Sequence, residues 1–208
     1  MNTYDLKTVM TYAVSAHFQN GEEYINYGSK TNKAIIQSHL GEISEPHMCF
    51  VDHVTEESAT IADKIIQYYK GLTFKILQGK RLSEFENNAM VFANRDVIES
   101  NYEIAVIASL PSCHERAVKR DNDVRKLENA TGGHIGSVGQ KVKVNVEVVR
   151  SSFSQQYNVY FISGVTTDNQ ALFFSYKQPI DAGKLIIAEG TVKRHGENTT
   201  QLNRVKVK

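Results

Sequence analysis

Cations and aromatic rings alternate through the last third of the chain. Lys141, Lys143, Arg150, Lys177, Lys193, Arg194 and Arg204 supply positive charge, and Phe153, Tyr157, Tyr160, Phe161, Phe173, Phe174 and Tyr176 supply flat apolar faces. Phosphates are held by cations and an unpaired base stacks on an exposed ring, so this mixture suits a single-stranded nucleic acid. Most of the rings are expected in a core, because the segment has few other large residues. The rings assigned to the outside are Phe153, in a polar Ser-Ser-Phe-Ser stretch, Tyr157, and one of the adjacent pair Phe173 and Phe174. Neighbours in a strand point to opposite faces, and Phe173 is the one assigned to the site. Arg150 and Lys177 fall at predicted strand ends, and His195, directly after Lys193 and Arg194, can stack or hydrogen-bond.

A second group of reactive types lies earlier. His47, Cys49 and His53, with Cys113 and His114 far along the chain, are metal-ligand types. A zinc site needs four ligands, or three and a water, and H-x-C-x3-H is not a finger or ribbon spacing. The expectation is two buried thiols, scattered histidines and no metal. Asp52 and His53 beside Glu56 and Glu57 have acid–base composition, but carboxylates ahead of a helix are ordinary dipole partners. Gly132-Gly133-x-x-Gly136 lacks the Lys-Ser/Thr of a phosphate-binding loop. No G-x-S-x-G, H-E-x-x-H or paired Asp-x-Asp motif occurs. The chain is therefore read as a non-enzyme that needs no cofactor.

These residues need elements to hold them. Val142, Val144, Val146 and Val148 alternate with polar residues over 141–149, which predicts a half-buried strand. Further strands are predicted at Tyr157–Ile162, Ala171–Tyr176, Leu185–Val192 and Thr199–Val207, with Gly190 at a bulge or close approach. Five strands in about 70 residues suit a five-stranded Greek-key barrel, the oligonucleotide/oligosaccharide-binding (OB) fold, with an SH3-like barrel as the rival. Upstream the pattern is helical. A helix is expected over 56–70, ending at Gly71, and capping boxes are expected at Ser83 with Glu86 and at Ser112 with Glu115, the latter opening a helix to Asn129. Ile104–Ala108 reads as a strand or a helical turn, Leu72–Leu77 as weakly extended, and the first 50 residues as strands or a hairpin around Asn20-Gly21.

The fold class expected is thus α+β. Residues 1–130 form an acidic, mainly helical or mixed domain, 131–138 a Gly-rich linker, and 139–208 the basic barrel. The 208-residue chain carries 24 Lys+Arg and 23 Asp+Glu, a net +1 that looks unfavourable for binding an anion. Divided at residue 135, the first part holds 14 basic and 18 acidic residues, net −4, and the second 10 and 5, net +5. The near-neutral total is a cancellation, and the positive charge accompanies the rings. Two cysteines, no apolar stretch of membrane-spanning length and no signal-like N-terminus lead to the expectation of a cytoplasmic protein with no membrane partner.

Gly136-x-x-Gly139, Glu189-Gly190-Thr191-Val192-Lys193-Arg194-His195 and Thr200-Gln201-Leu202-Asn203-Arg204-Val205 resemble the OB modules of phage and mobile-element replication proteins. The likeness covers residues 136–208, about a third of the chain. It implies a barrel that binds single-stranded DNA, with RNA as the alternative strand, in phage replication or recombination within the host cytoplasm. Residues 1–130 would then serve replication proteins or self-association. A protein–protein adaptor in a phage replication, transcription or anti-defence complex is the competing reading. Bacterial single-stranded DNA-binding proteins end in an acidic recruiting tail, whereas this sequence ends Arg204-Val205-Lys206-Val207-Lys208, so tail-mediated recruitment is not expected.

Overall fold

Side-chain caps start the helices of the N-terminal part. Asp5 accepts the backbone N–H of Thr8 at 2.8 Å and opens α1 (Leu6–Gln19), and Thr31 caps α2 (Asn32–His39). Thr55 and Ser83 each close a reciprocal capping box, at the heads of α3 (Glu56–Leu77) and α4 (Glu84–Ala93). A two-residue strand β1 (Tyr4–Asp5) pairs antiparallel with β2 (Val97–Ile98), and α5 (Asn101–Glu128) follows. The computed structural model describes residues 2–43, 54–79 and 81–208. His47, Cys49, Asp52 and His53 lie outside the described residues.

Three expectations for this part fail, each for a packing reason. The hairpin around Asn20-Gly21 is a helix–turn–helix connection. Leu6, Val9, Met10, Ala13 and Val14 recur at helical spacing and are buried, and Gly21 turns the chain at φ 70°. Helix α3 does not stop at Gly71 but runs to Leu77. An interior glycine costs only about 1 kcal/mol, and buried Ile65, Ile66, Tyr69 and Leu72 carry the apolar stripe past it. Helix α5 starts at Asn101, not at Ser112, so Ile104–Ala108 is helical and Pro111 lies inside the helix. Proline there removes one backbone bond, and burial of Ile104, Ile107, Ala108 and Leu110 around it offsets the loss. The start of α5 is fixed by Glu103, whose buried carboxylate accepts the N–H groups of Glu99 (2.7 Å) and Ser100 (3.1 Å) and pairs with Arg95 at 2.5 Å.

Two histidines tie this unit's stability to pH. His39 stacks on Tyr12 at 4.9 Å, and His114 meets the edge of Tyr68 at 4.9 Å. Burial holds both imidazoles below the usual histidine range, with Glu115 partly opposing this at His114. Each therefore binds fewer protons folded than unfolded as pH falls through the unfolded value of about 6.5. The unit is expected to keep its full stability above that pH and to lose stability below it. Melting at about pH 7.5 and 5.5 checks the sign, and His39→Gln with His114→Gln should shrink the difference; an unchanged difference would assign it to carboxylates instead.

The chain divides into two compact units, Met1–Ala117 and Val118–Lys208, so the division falls within α5 and not at the glycines. The second unit is a closed barrel of β3 (Lys141–Ser154), β4 (Val159–Thr166), β5 (Ala171–Tyr176), β6 (Leu185–His195) and β7 (Thr199–Val207). The order around the barrel is β3-β4-β5-β7-β6, with β5 and β7 parallel and every other pair antiparallel. The chain as described is thus α+β, with a five-stranded mixed barrel consistent with the OB fold. Val146, Val148, Ile162, Leu172, Phe174, Ala188, Val192 and Leu202 fill the barrel.

Residues 131–138 are not a free linker. Gly132 donates its N–H to Asn169 O at 2.8 Å, and a side chain at Gly132 would collide with the backbone of Asp168 and Asn169. Ile135 is buried with the barrel core and donates to the buried Thr200 hydroxyl at 2.9 Å. The glycines allow close approach to the β4–β5 turn, which composition alone reads as flexibility. Gly190 has the predicted role: a Cβ there would come within 3.0 Å of Asn203 O, where the β6–β7 register shifts. Among the described residues no helix is long and apolar enough to cross a membrane.

Candidate nucleic-acid interface

Strand alternation sorts the rings. Phe174 is fully buried, and Tyr160 and Tyr176 pack on the same core. Phe161 and Phe173 take the opposite, outer faces of β4 and β5, with their ring centres 5.6 Å apart. Tyr157, in the β3–β4 turn, extends this series at 6.0 Å from Phe161 and is 62% exposed. The outside of β4 and β5 thus carries three neighbouring rings. Phe153 does not join them. It pairs across the strands with Tyr160, 5.1 Å away, on the other face of the hairpin.

Two β-bulges turn arginines to the outside of the barrel. Counting by twos from the core residue Val148 would put Arg150 inside, and counting from Val192 would do the same to Arg194. The registers of β3 on β4 and of β6 on β7 shift between Val148 and Arg150 and between Val192 and Arg194. An extra residue at each bulge turns the arginine outward. The cross-strand partners then form one row around the barrel: Arg150, Ser163, Phe173, Gln201, Arg194. The row takes one residue from each strand of the closed barrel, so it follows the outer circumference with the ring of Phe173 midway between the two guanidinium groups. The next row is Ser152, Phe161, Ser175. Arg150 Nε donates to Ser152 Oγ at 3.1 Å, and Arg194 Nε to Gln201 Oε1 at 2.7 Å.

One groove lies against Phe173 and a second lies further along β5. The first, of about 500 Å³, is lined by Phe173, Ser163, Arg194, His195, Thr199 and Gln201. His195 stacks on His134 at 4.3 Å, and His134 donates from Nε2 to Gly196 O at 2.8 Å. The stack leaves one face of the His195 ring already covered. The other groove, of about 450 Å³, opens where β5 and β7 diverge beyond their short parallel pairing, and holds Val159, Ser175, Lys177 and Arg204. Arg204, at φ 53°, also lines a smaller groove of about 230 Å³ with Lys141, Lys206 and Glu189.

Of the residues named from sequence, Arg150, Tyr157, Phe173 and Arg194 share the ringed surface, with His195 at its rim. Lys177, Arg204 and Lys141 follow through the adjoining grooves. Lys143 and Lys193 are exposed and line none of the three grooves. Lys143 lies opposite Glu189 on β6. Sequence reasoning left out Phe161, although its alternation with Tyr157 was visible, and it left out Ser163 and Gln201, which only the register reveals. Elsewhere, no cluster of three metal-ligating side chains occurs among the described residues, and Cys113 is a free, partly buried thiol touched by Arg116 at 3.2 Å.

No family model, no curated protein and no solved structure matches this chain.

Proposed function

We propose that the barrel binds single-stranded nucleic acid, DNA in the first instance, on the outer face of β4 and β5. The observation that carries this reading is the row Arg150–Ser163–Phe173–Gln201–Arg194 with Phe161 and Tyr157 beside it. Bases stack on the rings, and phosphates pass the arginines and the Lys177–Arg204 groove. The net charge of +5 over residues 136–208 supports the same polarity. No base-pairing geometry or catalytic group is required. The strand is held by stacking and charge, so affinity falls steeply with salt. A role in replication or recombination, with residues 1–130 serving partner or self contacts, is part of the same proposal and rests on the resemblance of residues 136–208 to phage and mobile-element replication modules.

Fluorescence anisotropy of the full chain with a labelled oligo-dT tests the reading. Four phosphate contacts give a slope near −3 in log K against log salt, or about 50-fold weaker binding at 200 mM than at 50 mM. Arg150→Gln with Lys177→Gln should flatten that slope by about 1.4. Absence of binding at low salt would sink the proposal and favour the protein–protein adaptor.

A further inference from the structure

The groove between Phe173 and the His134–His195 stack is rich in hydrogen-bond donors. Arginine has donors only, so the Gln201 atom that Arg194 Nε meets at 2.7 Å is the carbonyl oxygen. That contact fixes the amide orientation and turns the Gln201 NH₂ away from the guanidinium. The Gly196 carbonyl, another acceptor of the groove, is engaged by His134 Nε2 at 2.8 Å. No carboxylate lines the groove. Each of these acceptors thus already receives one hydrogen bond. The remaining groups are the Arg194 Nη donors and the Gln201 amide N–H, with the Ser163 and Thr199 hydroxyls and the unpartnered His195 Nε2 able to donate or accept.

Building on the single-strand reading, we propose that this groove is a base-selective subsite that takes guanine. A base stacked at Phe173 turns one edge toward Arg194 and Gln201. Guanine presents two adjacent acceptors, O6 and N7, and a guanidinium meets that pair with two parallel N–H groups. Adenine presents N7 beside an N6 donor, which a guanidinium, having donors only, cannot pair. Such a donor facing donors is unpaired in the complex and weakens binding. The remainder of the surface, made of rings and isolated cations, has no comparable edge contact and does not discriminate.

The test uses the full chain and a labelled oligo-dT carrying one central substitution: dG, 7-deaza-dG, dA or dC. The 7-deaza base keeps the guanine shape and O6 but has no N7 acceptor. The dG strand is expected to bind about tenfold tighter than the 7-deaza-dG and dA strands, within the range of one bidentate contact. Arg194→Gln should bring these ratios to near one, each ratio being taken against the variant's own affinity for unsubstituted oligo-dT, which the lost cation also lowers. Equal affinity of the wild type for dG and 7-deaza-dG, or dC binding as tightly as dG, would overturn the subsite and leave the single-strand reading standing. Failure to bind any strand, oligo-dT included, would overturn both. The wild-type ratios decide the matter even if Arg194→Gln folds poorly.

Discussion

Replacing Phe161 and Phe173 together by alanine is expected to weaken oligo-dT binding by about 30- to 700-fold. Each base–aromatic stack is worth about 1–3 kcal/mol, and the two rings touch, so their losses overlap and about 2–4 kcal/mol is expected for the pair. Both rings are half-buried on the outer sheet face, where truncation opens no closed cavity. The barrel should lose only about 1–2 kcal/mol of stability, within the ordinary range for a substitution. Phe153→Ala is the matched control. Phe153 is 54% exposed and aromatic but lies on the opposite face of the hairpin, so binding should change by less than about threefold. Anisotropy titrations at one salt concentration, with melting curves for each variant, read both quantities. Equal losses for Phe153→Ala and the double variant would mean that the strand does not follow the β4–β5 face.

The contrast between Phe153 and Phe161 shows what the sequence could and could not reveal. The alternation from Lys141 to Val149 was legible because a barrel strand with one face in water has a period of two, and the later strands were legible from the turn residues between them, such as those at 167–170 and 196–198. Ends and faces were harder. Strand β3 continues to Ser154 and β4 begins at Val159, because Phe153 and Ser154 pair with Tyr160 and Val159 instead of forming a loop. The arginines were recognised as cations, but only the bulges put Arg150 and Arg194 in one row with Phe173. A bulge inserts one residue with no compositional mark, so register and hence shared surface stayed hidden.

The N-terminal unit was obscure for the opposite reason. A helix is recognised by having a wet side, and α1 is buried nearly all round: Thr11, Ser15 and His17 are inside along with its aliphatic residues. The first half of α5 is buried from Glu103 to Pro111 except at the partly buried Ala105, and its second half is largely charged, so no apolar stripe persists along its 28 residues. The caps at Thr55 and Ser83 were legible, because a capping box is local chemistry that needs no tertiary context. The apparent linker failed as a reading because Gly132 is selected by closeness to the Asp168–Asn169 backbone, a contact remote in sequence.

Phe174→Ala is expected to have the opposite phenotype to its neighbour. Phe174 is fully buried on β5, across from Ile162 and edge-on to Tyr176 at 6.4 Å. Removing the ring leaves a cavity among Val148, Ile162 and Leu172, and a buried Phe→Ala change costs about 3–5 kcal/mol. Native domains have only about 5–15 kcal/mol in total, and for a unit of this size each kcal/mol lowers the melting temperature by about 4–8 °C. Calorimetry of the full chain should show the barrel transition falling by at least about 12 °C. Phe174→Leu, which retains most of the volume, should recover more than half of that loss. At a temperature where Phe174→Ala is still folded, its affinity for oligo-dT should stay within a few-fold of the wild type, because the outer rings are untouched. A one-residue slip of β5 would exchange the two faces and hence the two phenotypes. A stable Phe174→Ala that fails to bind, beside an unstable Phe173→Ala, would therefore place Phe174 on the surface and remove the row on which the interface is built.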